Sequence, residues 1–366
     1  MWCNCSKENF FDEKSGNTLK IKLLRSLDFL LMLFLVLVGL ILRPIAWIFR
    51  KDNHGILIVR PGGMGDLIYV RMAEENILYP EKITYLIEKR SEIWAKSYKL
   101  NYVLYDEKPL RTILKIAGKY QKVIVTEQFY GAACAYGLLA KKIGGTLYGF
   151  TTQRLSNYLD VEVFYDETRR PEILWFYELL IKSLENPLIP NPPQPRKRHK
   201  ASDGTIWIGI AGTGVQSREL DLNKWVYLVR ALVPDIEEKK IFIACTKSDL
   251  GMATKISENI KGCSVFKGGF SELCNKISSA ELLICMDGGI AHIAAYEGVP
   301  VIAVFTSGIA SKWFPYSCDS VAVLSEPLEC QPCTKFGKVP RCVNDLKCKN
   351  FSGPLRRLLL SDLNVE

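Results

Sequence analysis

Gly55-Ile-Leu-Ile-Val-Arg60-Pro-Gly-Gly-Met-Gly65-Asp66-Leu67 decides the reading of this chain. Four apolar residues in a row, three of them β-branched, make a short buried strand. Pro61, Gly62 and Gly63 break it, and a helix is expected from about Asp66. A buried strand running through a Gly-rich turn into a helix is the opening unit of a parallel α/β sheet. Closely spaced glycines let the backbone turn sharply, and the free N–H groups of the following helix suit an anion. The turn lacks the Gly-Lys-Ser/Thr of a Walker A loop and the G-x-G-x-x-G dinucleotide spacing. By spacing alone, Asp66 could be no more than a helix cap.

Outward from this unit the alternation continues. Strands are expected at 83–88, 102–105 and 122–126, with helices near 108–118, 131–143 and 172–184. Residues 186–200, NPLIPNPPQPRKRHK, are too rich in Pro and basic residues for a core and read as an extended linker. The pattern then restarts, with strands at 205–211, 241–245, 282–285 and 299–305. Helices are expected near 223–233, 250–260, 271–279 and 290–297. Two α/β halves on a Pro-rich linker place a ligand cleft between them, at the carboxyl ends of both sheets.

A second chemical signal is Cys285-Met-Asp-Gly-Gly-Ile-Ala-His-Ile-Ala-Ala-Tyr-Glu-Gly-Val-Pro-Val-Ile-Ala-Val-Phe305. A strand ends at Asp287, Gly288 and Gly289 open a helix, and His292 falls in its first turns. This arrangement suits a diphosphate; the alternative is a satisfied core histidine.

Near the N-terminus Phe29–Leu42 reads FLLMLFLVLVGLIL, flanked by Lys20, Lys22 and Arg25 before it and Arg43, Arg50 and Lys51 after it. Fourteen helical residues span only about 21 Å, short of the roughly 30 Å hydrocarbon layer. The run therefore reads as a monotopic or re-entrant anchor with both flanks cytoplasmic, the alternative being a buried core helix. On the anchor reading, removing residues 1–50 should release a soluble, nucleotide-binding protein.

The 366 residues are 48% hydrophobic and 24% charged, enough for two globular domains. The formal charge of +9 sits on the N-terminal tail, the 196–200 run and the C-terminal tail, leaving the rest slightly acidic. That favours an anionic membrane surface over a nucleic acid. The twelve cysteines are mostly scattered singly, as in a reducing compartment. Only Cys330, Cys333, Cys342 and Cys348 cluster, as a structural Zn or Fe site, two disulfides or four free thiols.

Gly63-Met64-Gly65-Asp66 and the run Asp287–Pro300, together with Val304-Phe305-Thr306 and Trp313-Phe314-Pro315, resemble glycosyltransferase family 9, the heptosyltransferases of lipopolysaccharide core assembly. The resemblance covers about residues 54–350. It implies a GT-B fold, two Rossmann-like domains with the nucleotide sugar held mainly by the second. The expected layout is a tail and anchor helix (1–52), an acceptor domain (53–185), the linker (186–203), a donor domain with the Cys cluster (204–350) and a C-terminal helix (351–366). It further implies an inverting sugar transfer at the cytoplasmic face of the inner membrane. The donor would be ADP-heptose-like and the acceptor an envelope glycolipid, with no cofactor or metal needed for catalysis. Asp66 would be the base. Arg218 would balance the leaving diphosphate, standing where the family usually has Lys on an alignment resting on Trp225. Gly63, Gly65, Thr213, Asp287, Gly288, Gly289, His292 and Thr306 would bind the donor. The sequence departs from the family at Gly288, usually Ser or Thr, and at Leu220-Asp221, usually Trp-Pro. The competing readings are a non-catalytic GT-B relative that binds a nucleotide sugar or a partner, and a nucleic-acid or redox protein.

Overall fold

The computed structural model describes residues 16–48, 55–75, 77, 82–129, 131–167, 170–184, 191–211, 216–233, 235–331, 347–351 and 354–363. From Lys22 onward the chain divides into two compact units, Lys22–Pro193 and Gln194–Glu366.

The first unit contains α1 (Gly16–Ile48, from Lys22), β1 (Ile56–Arg60), α2 (Met64–Glu74), β2 (Ile83–Ile87), α3 (Glu92–Ser97) and β3 (Tyr102–Leu104). These are followed by α4 (Pro109–Ile116), β4 (Tyr120–Val125), α5 (Gly131–Ala140), β5 (Lys141–Phe150), β6 (Val161–Val163) and α6 (Glu172–Ile181). Its six strands are parallel, in the order β3-β2-β1-β4-β5-β6. Chain order runs outward from β1 to β2 on one side and resumes at β4 on the other. The reversal point, where α/β sheets bind ligands, is therefore the carboxyl end of β1 and β4. β1 is buried along its whole length, as a central parallel strand covered on both faces must be. Its Leu57 and Val59 pack with α1, α4 and α5 side chains in one cluster.

The run Phe29–Leu42 joins that cluster. Met32 and Leu35 are buried in it, and Leu31, Val36, Val38 and Leu42 pack against it. A Cβ on Gly39 would lie in ordinary contact with Leu139 of α5. Asp28 accepts hydrogen bonds from the N–H groups of Gly131 (3.2 Å) and Ala132 (3.1 Å), the free donors that open α5, and pairs with Arg154 at 3.3 Å. The opposite face, Leu27, Leu30, Leu33, Phe34, Leu37, Leu40 and Ile41, is exposed. One face of α1 is thus core and the other is bare apolar surface, which is why the run has no polar side. Among the described residues no helix is long and apolar enough to cross a membrane.

The second unit contains β7 (Thr205–Gly209), α7 (Leu222–Leu232), β8 (Lys240–Ala244), α8 (Leu250–Asn259), β9 (Cys263–Val265) and α9 (Phe270–Ile277). Then come β10 (Leu282–Met286), α10 (Gly289–Tyr296), β11 (Val301–Phe305), β12 (Val321–Leu324) and β13 (Arg356–Leu359). The sheet order is β13-β12-β11-β10-β7-β8-β9, parallel except for β13. The reversal lies between β7 and β10. Alternation along β7 builds two layers: Ile206 and Ile208 join α7 and α8 side chains, while Trp207 joins Ala291 and Ala294 of α10.

Three expectations change. The helix expected over 131–143 stops at Ala140, and the chain enters β5 directly. The C-terminal helix expected over 351–366 is not formed at its centre. Arg356–Leu359 pair antiparallel with β12 instead, and Leu358 packs on the cluster below, so closing the sheet edge overrides helical propensity. The end of the Pro-rich linker belongs to the second unit. Arg198 donates to the carbonyls of Ala280 (2.6 Å) and Glu281 (2.7 Å), and Lys200 to Ser278 Oγ (2.7 Å). The basic run thereby satisfies carbonyls just past the end of α9. Gly298, at φ 73°, closes α10, and a Cβ there would collide with the backbone of Lys197, so both backbone and space require glycine.

Candidate functional site

In the first unit, Gly63 is the N-cap of α2, so Asp66 sits inside the first turn and does not cap it. Its Oδ1 instead accepts a hydrogen bond from Arg60 Nη2 at 2.5 Å. Arg60 ends β1 and is 3% exposed. Its other arm, Nη1, donates to the Thr126 carbonyl (2.8 Å) and Gln128 Oε1 (3.4 Å) and lies 3.6 Å from Glu127 Oε2. Gln128 Nε2 donates to Glu172, which also accepts from the Tyr165 hydroxyl at 2.7 Å. The Arg60 guanidinium lies 5.4 Å from the Phe176 ring centre. A buried cation thus joins the ends of β1 and β4, with Asp66 at its outer edge.

Burial alone would lower the Arg60 pKa, but Asp66, Glu127 and Glu172 outweigh it, and the net shift is upward. Burial raises the pKa of Glu127 further than Arg60 lowers it. The Gly-rich turn makes room for this network. A Cβ on Gly62 would lie 2.5–2.9 Å from three Arg60 guanidinium atoms, and one on Gly63 would lie 3.3 Å from Asp66 Oδ2. Gly65 lies in the first turn of α2. The acidic residues further along α2 are also compensated: Glu74 accepts from Arg71 (2.6 Å) and from the Tyr85 hydroxyl, and Arg71 reaches Glu75 at 3.5 Å.

In the second unit, Asp287 follows β10, is 4% exposed and pairs through Oδ2 with Arg218 Nη1 at 3.1 Å. Gly308, after β11, passes so close that a Cβ there would lie 2.3 Å from Asp287 Oδ2 and 3.4 Å from Arg218 Nη2. Ser217 shares a 2.8 Å hydroxyl contact with Ser307, and Thr306 Oγ1 donates to the Ser217 carbonyl at 2.5 Å. Gln331 Nε2 in turn donates to the Thr306 carbonyl at 2.6 Å. The loops after β7, β10 and β11 are therefore laced together at the sheet's reversal point. Thr306 spends its hydroxyl on holding the Arg218 loop.

Gly288 is the N-cap of α10, with an extended φ of 178° that any residue can adopt. Its backbone therefore does not explain why Ser or Thr is replaced. Gly289 opens α10, and His292, buried at 4%, stands 6.0 Å from the Trp313 ring. The Leu220-Asp221 departure is explained: Leu220 is buried beside Trp225 in the core, and Asp221 caps α7 through the Lys224 N–H at 2.9 Å. Thr213 lies outside the described residues.

Cys333 and Cys342 also lie outside the described residues; Cys330 is half-buried and Cys348 is buried. Among the described residues no group of three or more His, Cys, Asp or Glu side chains is placed to hold a metal ion.

Sequence reasoning missed Arg60, Glu127, Gln128, Glu172, Ser217, Ser307 and Gly308. Only Arg60 carried a signal, a charge ending an otherwise apolar strand immediately before a Gly-Gly turn.

The second unit, with its cation and helix N-terminus, is equipped to hold an anion such as a diphosphate; the first presents a carboxylate on a rigid support. The fold is shared with solved structures. E. coli heptosyltransferase WaaC with ADP matches with a TM-score of 0.59 and 16% identity over 73% of this chain and 92% of that one. E. coli ADP-heptose lipopolysaccharide heptosyltransferase II matches at 0.55 and 14%, over 75% and 92%. A family 9 glycosyl transferase from Veillonella parvula matches at 0.56 and 16%, over 74% and 86%. No curated protein matches the chain in sequence. Residues 228–343 match the family model "Glycosyltransferase family 9 (heptosyltransferase)". That matched segment lies within the second unit, and the enzyme class read from the residues, a heptosyltransferase-like glycosyltransferase, agrees with it.

Proposed function

We propose that the protein transfers a heptose-like sugar with inversion from an ADP-sugar to an envelope glycolipid at the cytoplasmic face of the inner membrane. The observation that carries this reading is the Arg218–Asp287 pair beside the opening of α10, within the second unit, which holds the segment matching the family model. Solved structures sharing the fold contain ADP and ADP-2-deoxy-2-fluoro heptose, which supports an ADP-sugar as the first donor to try.

In this reading Asp66 takes the proton of the acceptor hydroxyl as its oxygen attacks the anomeric carbon. The bond from that carbon to the diphosphate breaks, and the nucleotide diphosphate departs carrying the electron pair. Arg218, the α10 N-terminus and His292 meet the departing charge. Arg60 holds Asp66 Oδ1, leaving Oδ2 for the acceptor. No step calls on a metal ion; the Cys cluster, if it binds Zn or Fe, does so structurally.

The test is thermal stabilisation of the full-length protein in mild detergent by a panel of nucleotide sugars, followed by transfer to lipopolysaccharide-core acceptors. ADP-heptose should raise the melting temperature, and Arg218→Gln should abolish the rise. Stabilisation by UDP- or GDP-sugars alone would move the donor. No response to any of them would leave a non-catalytic binding protein.

A further inference from the structure

We infer that α1 is an in-plane docking element: its exposed face lies in an anionic phospholipid surface while its other face is fixed to the first unit's core. This rests on the membrane placement proposed above, not on which sugar is transferred. It makes α1 a rigid part of the acceptor-side unit instead of a tether.

Leu27, Leu30, Phe34, Leu37 and Ile41 recur at helical spacing on the exposed side, with Leu33 and Leu40 beside them. With Phe29, eight exposed apolar side chains and no exposed polar one between Leu27 and Ile41 is more than a surface facing water carries. The face cannot roll under the domain, because the opposite side is already committed. Leu35 is fully buried, and Asp28 is bound to the first N–H groups of α5 and to Arg154.

Charge selects the occupant. Lys20, Lys22 and Arg25 precede the apolar run and Arg43, Arg50 and Lys51 follow it, so both ends attract anionic headgroups. An open pocket of about 680 Å³ lies beside the face, lined by Ser26, Phe29, Leu30, Met32 and Arg154. It sets a guanidinium next to apolar surface, the pairing an anionic lipid presents at its headgroup and first acyl carbons. A second copy of this chain would bring like-charged flanks together. A lipid surface brings opposite charge.

The experiment is flotation of the full-length protein with vesicles of phosphatidylethanolamine and phosphatidylglycerol, or of phosphatidylcholine alone. The parent should bind the anionic vesicles and dissociate in part at high salt. Leu30→Gln, Leu37→Gln and Ile41→Gln together should cut binding by about 100-fold while leaving the melting temperature nearly unchanged. Arg154→Gln should weaken binding only to anionic vesicles, by roughly fivefold. As a single-site reading, Leu37→Trp should add emission quenched by bromine-labelled acyl chains. A triple variant that floats like the parent, with no quenching at position 37, would overturn the in-plane face and leave membrane placement to the basic flanks. A parent that binds no vesicles, or forms a stable dimer that the triple variant dissociates, would overturn the membrane placement too; the glycosyltransferase assignment would be untouched.

Discussion

Arg60 holds Asp66 at 2.5 Å from beneath, anchored by its second arm to the Thr126 carbonyl at 2.8 Å. The candidate base is therefore fixed by a residue from the end of the neighbouring strand. Asp66→Asn keeps the shape but removes the charge. It should reduce transfer by about 10²–10⁴-fold while ADP-heptose binding stays near the parent value. Because Asp66 is not a cap, its loss should not fray α2. A variant that keeps most of its turnover would remove Asp66 from the chemistry.

Arg60→Lys tests the support. A lysine keeps the buried charge but cannot reach both the Asp66 carboxylate and the Thr126 carbonyl with a planar fork. We expect turnover to fall by about 10²-fold, as for a small misplacement of a reacting group, with the donor KM unchanged. A matching loss in donor affinity would point to general unfolding instead.

Gly62→Ala and Gly63→Ala separate packing from positioning. At Gly62 the added methyl meets the Arg60 guanidinium at 2.5–2.9 Å, so overpacking should cost about 1–3 kcal/mol in denaturant unfolding. At Gly63 it meets only Asp66 Oδ2 at 3.3 Å, at an ordinary φ of −62°. That variant should unfold like the parent yet turn over more slowly.

Much of the fold was legible because its central strands are short apolar runs closed by Gly or Pro, as Ile56–Arg60 and Leu282–Met286 are. β5 was not: KKIGGTLYGF opens with residues that extend a helix, and only pairing with β4 and β6 makes it a strand. α1 looked like a free anchor because a uniformly apolar helix gives no sign of which face is core. In the site, the Gly-rich turns announced themselves through spacing. Glu127 and Glu172 did not, since the loop after β4 and α6 meet Arg60 only through the tertiary fold.

Arg218→Lys should keep part of the activity, within about tenfold in kcat/KM, and Arg218→Gln should lose about 10²–10³-fold. The pair with Asp287 at 3.1 Å gives Arg218 a place in the second unit independent of any alignment on Trp225. His292→Ala should raise the donor KM as well as slow turnover. Equal activity of the Gln and Lys variants would rule out a charge role.

Glu127 supplies a pH test. Its folded pKa lies above the usual value because burial outweighs the nearby Arg60. A carboxyl with a raised folded pKa holds its proton more tightly folded than unfolded. Its contribution to stability therefore falls as pH rises from the ordinary Glu pKa through the folded one. Glu127→Gln removes that loss. Its melting temperature should match the parent's below the ordinary Glu pKa and exceed it once the pH has risen above that value. A gap that is constant with pH would mean that the substitution acts through packing or Arg60 alone.

Removing residues 1–50 should not give the soluble protein that an anchor reading of the sequence leads one to expect. The deletion takes away Met32 and Leu35, both buried in the cluster that also holds Leu57, Val59 and Leu139, and leaves that side of the sheet's cover open to water. It also frees the N–H groups of Gly131 and Ala132, which Asp28 now satisfies. The truncated chain is expected to aggregate or to melt well below the parent. Leu35→Ala in the full chain isolates the packing part: a buried leucine cut to alanine costs about 2–5 kcal/mol. Ile41→Ala, on the exposed face of the same helix, should cost almost nothing in detergent. If Leu35→Ala proved as silent as Ile41→Ala in chemical denaturation, α1 would not be docked on the domain, and the deletion should then yield a stable, soluble protein.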